Sequence, residues 1–270
     1  MISFIFFTNP RNEDAVTELN NAVGVALKCG CRCFVDDSLR DIVKADLPKM
    51  SEVKPDFIIA FGGDGTILRA ASLSLEYDVP IIGVNLGRVG FLSEILPNEF
   101  EYALKRILNN DYSLDRRMTL TCSVNGGASK ACLNEALIYK RHFSSVADIA
   151  MEIGGVSAGS ICCDGLIVST PTGSTAYSMS AGGPIVAQGF DVFVITPICP
   201  HSLASRPIVV SKETHMRFTM LNEGSAILDG MYADELAAGD TIDICCGDKT
   251  VSFVRFGESN LYDLIKAKLL

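Results

Sequence analysis

The chain is poor in basic charge, in long apolar runs and in paired cysteine motifs, and each scarcity closes a class of function. Of its 270 residues, 23 are Lys or Arg and 32 are Asp or Glu, a formal net charge of −9. A protein that grips nucleic acid or an anionic membrane through a broad electrostatic field needs the opposite sign, so any anion bound here must be met by local donors. The opening "MISFIFF" is apolar, but it is short and lacks the basic flank of a secretory signal. No stretch approaches the roughly 20 apolar residues of a membrane span. The expected compartment is the cytoplasm, with neither nucleic acid nor membrane among the partners.

The cysteines are numerous but unpaired in pattern. Cys29, Cys31 and Cys33 stand in "CGCRC", Cys162 adjoins Cys163, Cys245 adjoins Cys246, and the others are single. No C-x-x-C pair is matched by a second, so no metal site is read from them. In a reducing compartment they are expected to be free, mostly buried, and to act as small apolar side chains.

Hydrophobic residues make up 48% of the chain and charged residues 20%, which excludes global disorder. Two textures follow one another. Up to about residue 110, apolar strands such as "ISFIFF", "CRCFV", "DFIIAFG" and "PIIGVN" alternate with helical patterns. In the first helix Ala15, Leu19, Ala22, Val23, Ala26 and Leu27 form an apolar stripe that stops near Gly30; a later helix is "NEFEYALKRILNN". Strands alternating with helices indicate a parallel sheet covered on both faces. After "DYSLDRRMTL" the pattern changes to many short alternating or apolar runs broken by Gly, Asn, Asp and Pro, the signature of a mostly β domain. No low-complexity linker or repeat separates the halves. The expected organisation is an α/β domain over residues 1–112 with a Rossmann-like parallel sheet and a β-rich domain over 113–256. A C-terminal helix over 257–270 is expected to pack back on the first domain.

The stretch "FGGDGTILRA", residues 61–70, joins a buried strand to a helix through Gly62, Gly63, Asp64, Gly65 and Thr66. A turn nearly free of Cβ atoms lets backbone N–H groups approach an anion closely, and the positive end of the helix dipole favours negative charge there. This is phosphate-site geometry with one acid in it. Asp between glycines is also an ordinary turn former. A second stretch, "DGLIVSTPTGSTAYSMSAGGPIV" over residues 164–186, runs from a strand into a Pro-Gly-Ser-Thr turn. Its hydroxyls at Ser169, Thr170, Thr172, Ser174 and Thr175 suit ribose, amide and phosphate groups, although such residues also brace turns for their own sake.

Taken in order along one chain, "GGDGT" (62–66), "NE" (Asn134, Glu135) and the long block from Asp164 resemble the NAD kinase family. "GVNLGRVGFLSE" (83–94), "PHSLASRPIVV" (200–210), Asp229 with Gly230, and the closing "VRF" support the likeness, which covers about residue 60 to the C-terminus. The glycine motif alone is shared with lipid kinases and, in part, with phosphofructokinases; the long block is far more specific. The resemblance implies an α/β domain joined to a β-rich domain with the site between them. It implies transfer of the γ-phosphoryl group of ATP, or of polyphosphate, to the 2′-hydroxyl of the adenosine ribose of NAD, with Mg²⁺ as the divalent cofactor. The family usually assembles as homodimers or homotetramers.

By the same resemblance Asp64 is the catalytic carboxylate, and Gly62, Gly63, Gly65 and Thr66 form the phosphate turn. The residues implied to hold NAD are Asp64, Gly65, Asn134, Glu135, Asp164, Thr175, Ala176, Tyr177 and Ser180. A ribose hydroxyl is a weak nucleophile at neutral pH, which gives a carboxylate within hydrogen-bond reach a role. No Walker A sequence or protein-kinase catalytic loop is present, so the glycine turn must serve as the cradle. Two positions depart from the family pattern: Cys162 replaces a frequent basic residue and Met231 a frequent polar one. Arg88, Arg206, His142, His201 and His215 receive no role. A GGDGT-type kinase with a lipid or sugar-phosphate acceptor, and a non-catalytic NAD(P)-binding sensor, remain as other readings.

Overall fold

The computed structural model describes residues 1–48, 54–87, 90–257, 262, 265 and 266. The chain divides into two compact units, one comprising Met1–Arg116 with Val251–Leu270 and the other Arg117–Thr250.

The first unit is a six-stranded sheet with helices on both faces. Its strands are β1 (Ser3–Thr8), β2 (Arg32–Val35), β3 (Phe57–Phe61), β4 (Ile81–Val84), β5 (Ser113–Arg117) and, from the far end of the chain, β18 (Val251–Arg255). The order is β2-β1-β3-β4-β18-β5, with β1, β2, β3, β4 and β18 joined by parallel pairing. Phe4, Phe6, Ile59, Phe61, Ile82 and Val84 project into one core with helices α1 (Glu13–Lys28) and α3 (Phe100–Leu108). The intervening Ile5, Ile58, Ala60 and Ile81 are equally buried and, by the two-residue alternation of a strand, face the other way. Helix α2 (Asp64–Tyr77) covers that second face, where a Cβ on Gly83 would stand 2.8 Å from Ile67 Cδ1. This is why the strands read as continuous apolar runs rather than alternating ones.

Local chemistry sets the helix ends. Asn12 caps α1 by accepting a hydrogen bond from Ala15 N–H at 3.1 Å, and Glu13 and Asp14 in the first turn complement the helix dipole. The buried stripe is Ala15, Leu19, Ala22, Val23 and Ala26. Leu27, expected in it, is 43% exposed, because one residue beyond Ala26 is a 100° turn away from the core.

In the second unit every strand pairing is antiparallel. One sheet runs β10-β9-β14-β17-β6-β7, made of β6 (Leu120–Val124), β7 (Lys130–Cys132), β9 (Ala147–Ile153), β10 (Val156–Cys163), β14 (Met216–Met220) and β17 (Thr241–Cys246). The other runs β13-β12-β11-β8-β15-β16, made of β8 (Glu135–Lys140), β11 (Gly165–Ser169), β12 (Val192–Ile198), β13 (Ile208–Ser211), β15 (Gly224–Leu228) and β16 (Tyr232–Leu236). They share one core, in which Ile138, Leu166, Val168 and Phe193 meet Ile149, Phe218, Ile242 and Ile244. Strand β11 is buried on both faces, and the short helix α4 (Tyr177–Ser180) packs against it.

The structure departs from the sequence reading in two further places. The strand ending in "VRF" lies in the sheet of the first unit, not among residues 113–256 of the β-rich half: Val254 belongs to the core of Phe4 and Leu19. Its apolar run fits a buried strand of either sheet, and nothing local distinguishes them. Five of the ten free cysteines are buried (Cys31, Cys33, Cys122, Cys132 and Cys163), fewer than expected, and Cys29, Cys199 and Cys245 are exposed. Burial pushes the Cys33 thiol up to about 12. The expected C-terminal helix over 257–270 falls mostly outside the described residues. Among the described residues no helix is long and apolar enough to cross a membrane.

Phe6 sits between Phe61 and Phe100, with ring centroids 6.4 and 6.3 Å away. Phe6→Ala opens a cavity at the centre of this core and is expected to cost about 3–5 kcal/mol, read as a lower denaturant midpoint; a midpoint equal to that of the parent chain contradicts this packing.

Candidate active site

Because β1, β3 and β4 run parallel, their carboxyl ends lie at one edge, where open α/β sheets bind their ligands. Thr8, Phe61 and Val84 are aligned there, and Thr8 Oγ1 donates to Phe61 O at 2.7 Å. The glycine turn leaves β3 at this edge. Gly62 has φ +152° and its N–H donates to Val84 O at 2.9 Å; a Cβ on it would lie 2.5 Å from Thr66 Oγ1. Gly63 is the N-cap of α2 and supplies no side-chain cap, while Asp64 is the first helical residue. Helix N-termini carry orphan N–H donors and partial positive charge. Here they open onto half-exposed Asp64 and Thr66 and exposed Gly63 and Gly65.

The carboxylate of Asp64 is fixed from outside its own helix. Its Oδ2 accepts from Phe91 N–H at 2.9 Å and its Oδ1 from Leu92 N–H at 3.0 Å. Gly90 permits this approach, since a Cβ there would stand 2.2 Å from Asp64 Oδ1. Arg88, in the same loop, lies outside the described residues.

In the second unit the segment Leu133–Glu135 is gripped by Asp229, at the hairpin between β15 and β16. Asp229 Oδ2 accepts from Leu133 N–H at 2.7 Å, and its Oδ1 accepts from the N–H groups of Asn134 at 2.9 Å and Glu135 at 3.0 Å. Asp229 and Gly230 both have positive φ, the Asp-Gly pattern of a tight hairpin turn. From the other side the Pro-Gly-Ser-Thr turn closes on the same segment: Thr170 N–H donates to Asn134 O at 2.9 Å and Thr170 Oγ1 to Leu133 O at 2.6 Å. A Cβ on Gly173 would fall 2.1 Å from Asn134 O. Asn134 and Glu135 are thereby held on a rigid backbone with their side chains unspent. Among the described residues, Glu135 Oε2 is buried without a hydrogen-bond partner, and its cross-strand neighbour Ser169 has an equally unpartnered Oγ. Burial first, then the charge of Asp229, raises the Glu135 pKa to about 7. Burial raises Asp229 as well, against its three N–H bonds, which lower it.

The hydroxyl bank is mostly consumed in bracing. Ser174 Oγ donates to Pro171 O at 2.7 Å and accepts from Val186 N–H at 3.0 Å, and Thr175 Oγ1 donates to Thr172 O at 3.1 Å. Of the two roles open to such residues, Thr170, Ser174 and Thr175 take the bracing one in this turn.

Asp164 stands at the other end of β11. Register pairs Ser169 with Glu135 and Gly165 with Tyr139, so four residues of strand, roughly 13 Å, separate the Glu135 and Asp164 ends. Asp164 Oδ1 accepts from Lys140 Nζ at 2.7 Å. Tyr177 belongs to this end: burial, then the nearby Tyr139, Cys199 and Asp164, raise its pKa, and it is 40% exposed. Thr175 and Ala176 are half-buried on the way to it, and Ser180 is exposed beyond it. Cys162 meets His201 Nδ1 at 3.4 Å, His215 pairs with Asp243 at 3.3 Å, and neither histidine joins the groups above. Sequence reasoning quoted Asp229 and the 90–93 loop without giving either a role; the Asp-Gly hairpin signal was the available cue for the first. Among the described residues no three His, Cys, Asp or Glu side chains converge on a metal-sized site.

Comparison with known proteins agrees with both halves. Residues 4–112 match the family model of the ATP-NAD kinase N-terminal domain, and residues 133–256 that of the ATP-NAD kinase C-terminal domain. An NAD kinase of Methanothermobacter thermautotrophicus is 34% identical over 267 residues, covering 95% of this chain and 92% of that one. An NAD kinase of Geotalea daltonii is 39% identical over 231 residues, covering 83% and 80%. Among solved structures, yeast NADH kinase complexed with NADH superposes with a TM-score of 0.89 at 20% identity, covering 98% of this chain and 86% of that one. An NAD kinase from Archaeoglobus fulgidus in complex with ATP gives a TM-score of 0.77 at 27% identity, covering 99% of each. The fold is that of a two-domain phosphotransferase. The chain belongs to the NAD kinase family.

Glu135 supplies a test of the site's electrostatics. Its folded pKa of about 7 lies above its ordinary 4.5, so the folded state favours the protonated form. Stability is therefore full below about 4.5 and falls as pH rises through about 7. Glu135→Gln, a near-isosteric neutral replacement, is expected to leave the unfolding free energy unchanged at pH 4 and to raise it at pH 8 by an amount on the order of 2 kcal/mol. Equal effects at the two pH values contradict the buried-carboxylate assignment.

Proposed function

We propose that the chain transfers the γ-phosphoryl group of ATP to the 2′-hydroxyl of the adenosine ribose of NAD, giving NADP and ADP. The observation that carries this reading is the carboxylate of Asp64, fixed by two loop N–H groups at the head of a helix whose entry turn is glycine. Asp64 takes the hydroxyl proton as the ribose oxygen forms its bond to phosphorus and the bond to the β-phosphate oxygen breaks. Gly62, Gly63, Gly65 and Thr66 provide the phosphate cradle, in which backbone donors replace the basic side chains that the chain's acidic balance lacks.

NAD is held by Asn134 and Glu135 at one end of β11, where the unpartnered Glu135 Oε2 suits a ribose hydroxyl donor, and by Asp164, Thr175, Ala176, Tyr177 and Ser180 toward the other. The ATP complex of the Archaeoglobus relative supports ATP as donor. A divalent ion fits the donor set if it arrives with the nucleotide: Mg²⁺ is satisfied by one or two carboxylates with phosphates and water, and Asp64 is the carboxylate this turn offers. Bound there, Mg²⁺ neutralises charge on the transferring phosphates. A homodimer or homotetramer in the cytoplasm completes the reading, on the strength of the family likeness.

Purified protein with Mg²⁺, NAD and either ATP or polyphosphate is expected to form NADP, and the productive arm identifies the donor. Absence of NADP from both arms overturns the reading. Asp64→Asn is expected to lower kcat by at least about a hundredfold, the scale of a positioned acid–base group; a rate within a few fold of the parent removes Asp64 from that role.

A further inference from the structure

Behind the loop that fixes Asp64 lies a buried ionic cluster for which the proposed reaction has no use. Arg255, the last residue of β18, is 4% exposed. Its Nη1 donates to Glu94 Oε2 at 2.8 Å, and its Nε and Nη2 donate to Asp115 Oδ2 at 3.3 and 3.2 Å. The other oxygen of Glu94, Oε1, accepts from Phe256 N–H at 2.8 Å. Phe256 is braced in turn, because Arg106 Nη1 donates to its carbonyl at 2.6 Å while Arg106 Nε pairs with Asp111 at 2.7 Å. A cation so far from water is tolerated only when paired, and pairing of this kind contributes definition of position more than net stability.

The position defined is that of residue 94, two residues from Leu92. The N–H groups of Glu94 and Ile95 return to Gly83 O at 2.9 and 3.2 Å, and Asn85 N–H reaches Ile95 O at 2.8 Å, so the far end of the loop is tied to β4 as well. Nearer Asp64, Gly90 N–H donates to Ser93 Oγ at 3.3 Å, and the next two N–H groups go to Asp64. The segment that presents the Phe91 and Leu92 N–H groups is thus anchored on its Glu94 side by both Arg255 and β4.

We propose that Arg255 and Glu94 are positioning residues for the phosphoryl-transfer centre, acting through the Phe91 and Leu92 N–H groups on the carboxylate of Asp64. The proposal rests on the reading of Asp64 given above. It assigns to the C-terminal strand a part in the chemistry without contact with either substrate.

The test is a double-mutant cycle on the full-length protein with NAD, ATP and Mg²⁺. Arg255→Lys and Glu94→Gln are each made in the parent chain and in Asp64→Asn, and kcat, KM for NAD and melting temperature are measured. In the parent background each is expected to lower kcat about tenfold while KM for NAD stays within about twofold, the pattern of an interaction realised in the transition state. In the Asp64→Asn background the same changes are expected to alter the residual rate by less than about twofold, because the group they position is gone. Equal losses in both backgrounds mean general loosening and overturn the proposal, as does an unchanged kcat in the parent. Should Arg255→Lys fail to fold, Glu94→Gln, which keeps the side-chain volume, carries the cycle alone. An Asp64→Asn protein as fast as the parent instead overturns the reading of Asp64, and this proposal with it. Failure of the proposal alone leaves Asp64→Asn slow and the losses multiplicative.

Discussion

Two aspartates, one in each unit, accept consecutive backbone N–H groups and hold their neighbouring candidate residues in place. Asp64 takes the N–H groups of Phe91 and Leu92; Asp229 takes those of Leu133, Asn134 and Glu135. Successive N–H groups at a bend point the same way and have no carbonyl to meet, so a short carboxylate is an economical acceptor for them, and each charge-assisted bond is worth about 1.5–3 kcal/mol. In each unit the aspartate is the fixed point from which neighbouring groups take their places. In the first unit the fixed carboxylate is itself the candidate reactive group. In the second it is a brace, and the residues it presents, Asn134 and Glu135, are the candidate ligands.

The close approaches that make these arrangements possible are bought with glycine and with buried charge. Gly90 and Gly173 lie where any Cβ would overlap a neighbouring oxygen, at 2.2 Å from Asp64 Oδ1 and 2.1 Å from Asn134 O. Glu135 Oε2 is kept from water without a hydrogen-bond partner among the described residues, a local instability. The chain carries that cost at a residue proposed to meet a ligand, where stability is commonly given up for function.

Legibility in the sequence followed the range of the interaction. The glycine turn was plain because strand, turn and helix are contiguous, and the stripe of α1 because helical spacing is local. Leu27 misled only by standing next to Ala26. What stayed hidden depends on which distant segment arrives. The strand Val251–Arg255 reads as a buried strand, yet no local feature assigns it to the sheet of β1 rather than to those of β6 to β17. Likewise the hydroxyls of residues 169–175 look alike as letters; only the fold decides that Thr170, Ser174 and Thr175 are consumed in the turn while Ser169 Oγ is left without a partner. Asp229 was visible as half of an Asp-Gly turn, but its grip on a segment some 95 residues earlier was not.

The interleaving of the two units also orders events on the ribosome. Strands β1 to β5 are made first, but β18, which stands between β4 and β5, is not made until Val251 and its successors emerge. Synthesis proceeds at about 5–20 residues per second, and domains tend to fold as they appear. The second unit, continuous from Arg117 to Thr250, is thus complete while the first still has a gap in its sheet and Glu94 still lacks Arg255. A nascent chain interrupted before Val251 carries the whole glycine turn without the strand that completes its sheet, so the sheet behind that turn closes only once the chain has passed Arg255.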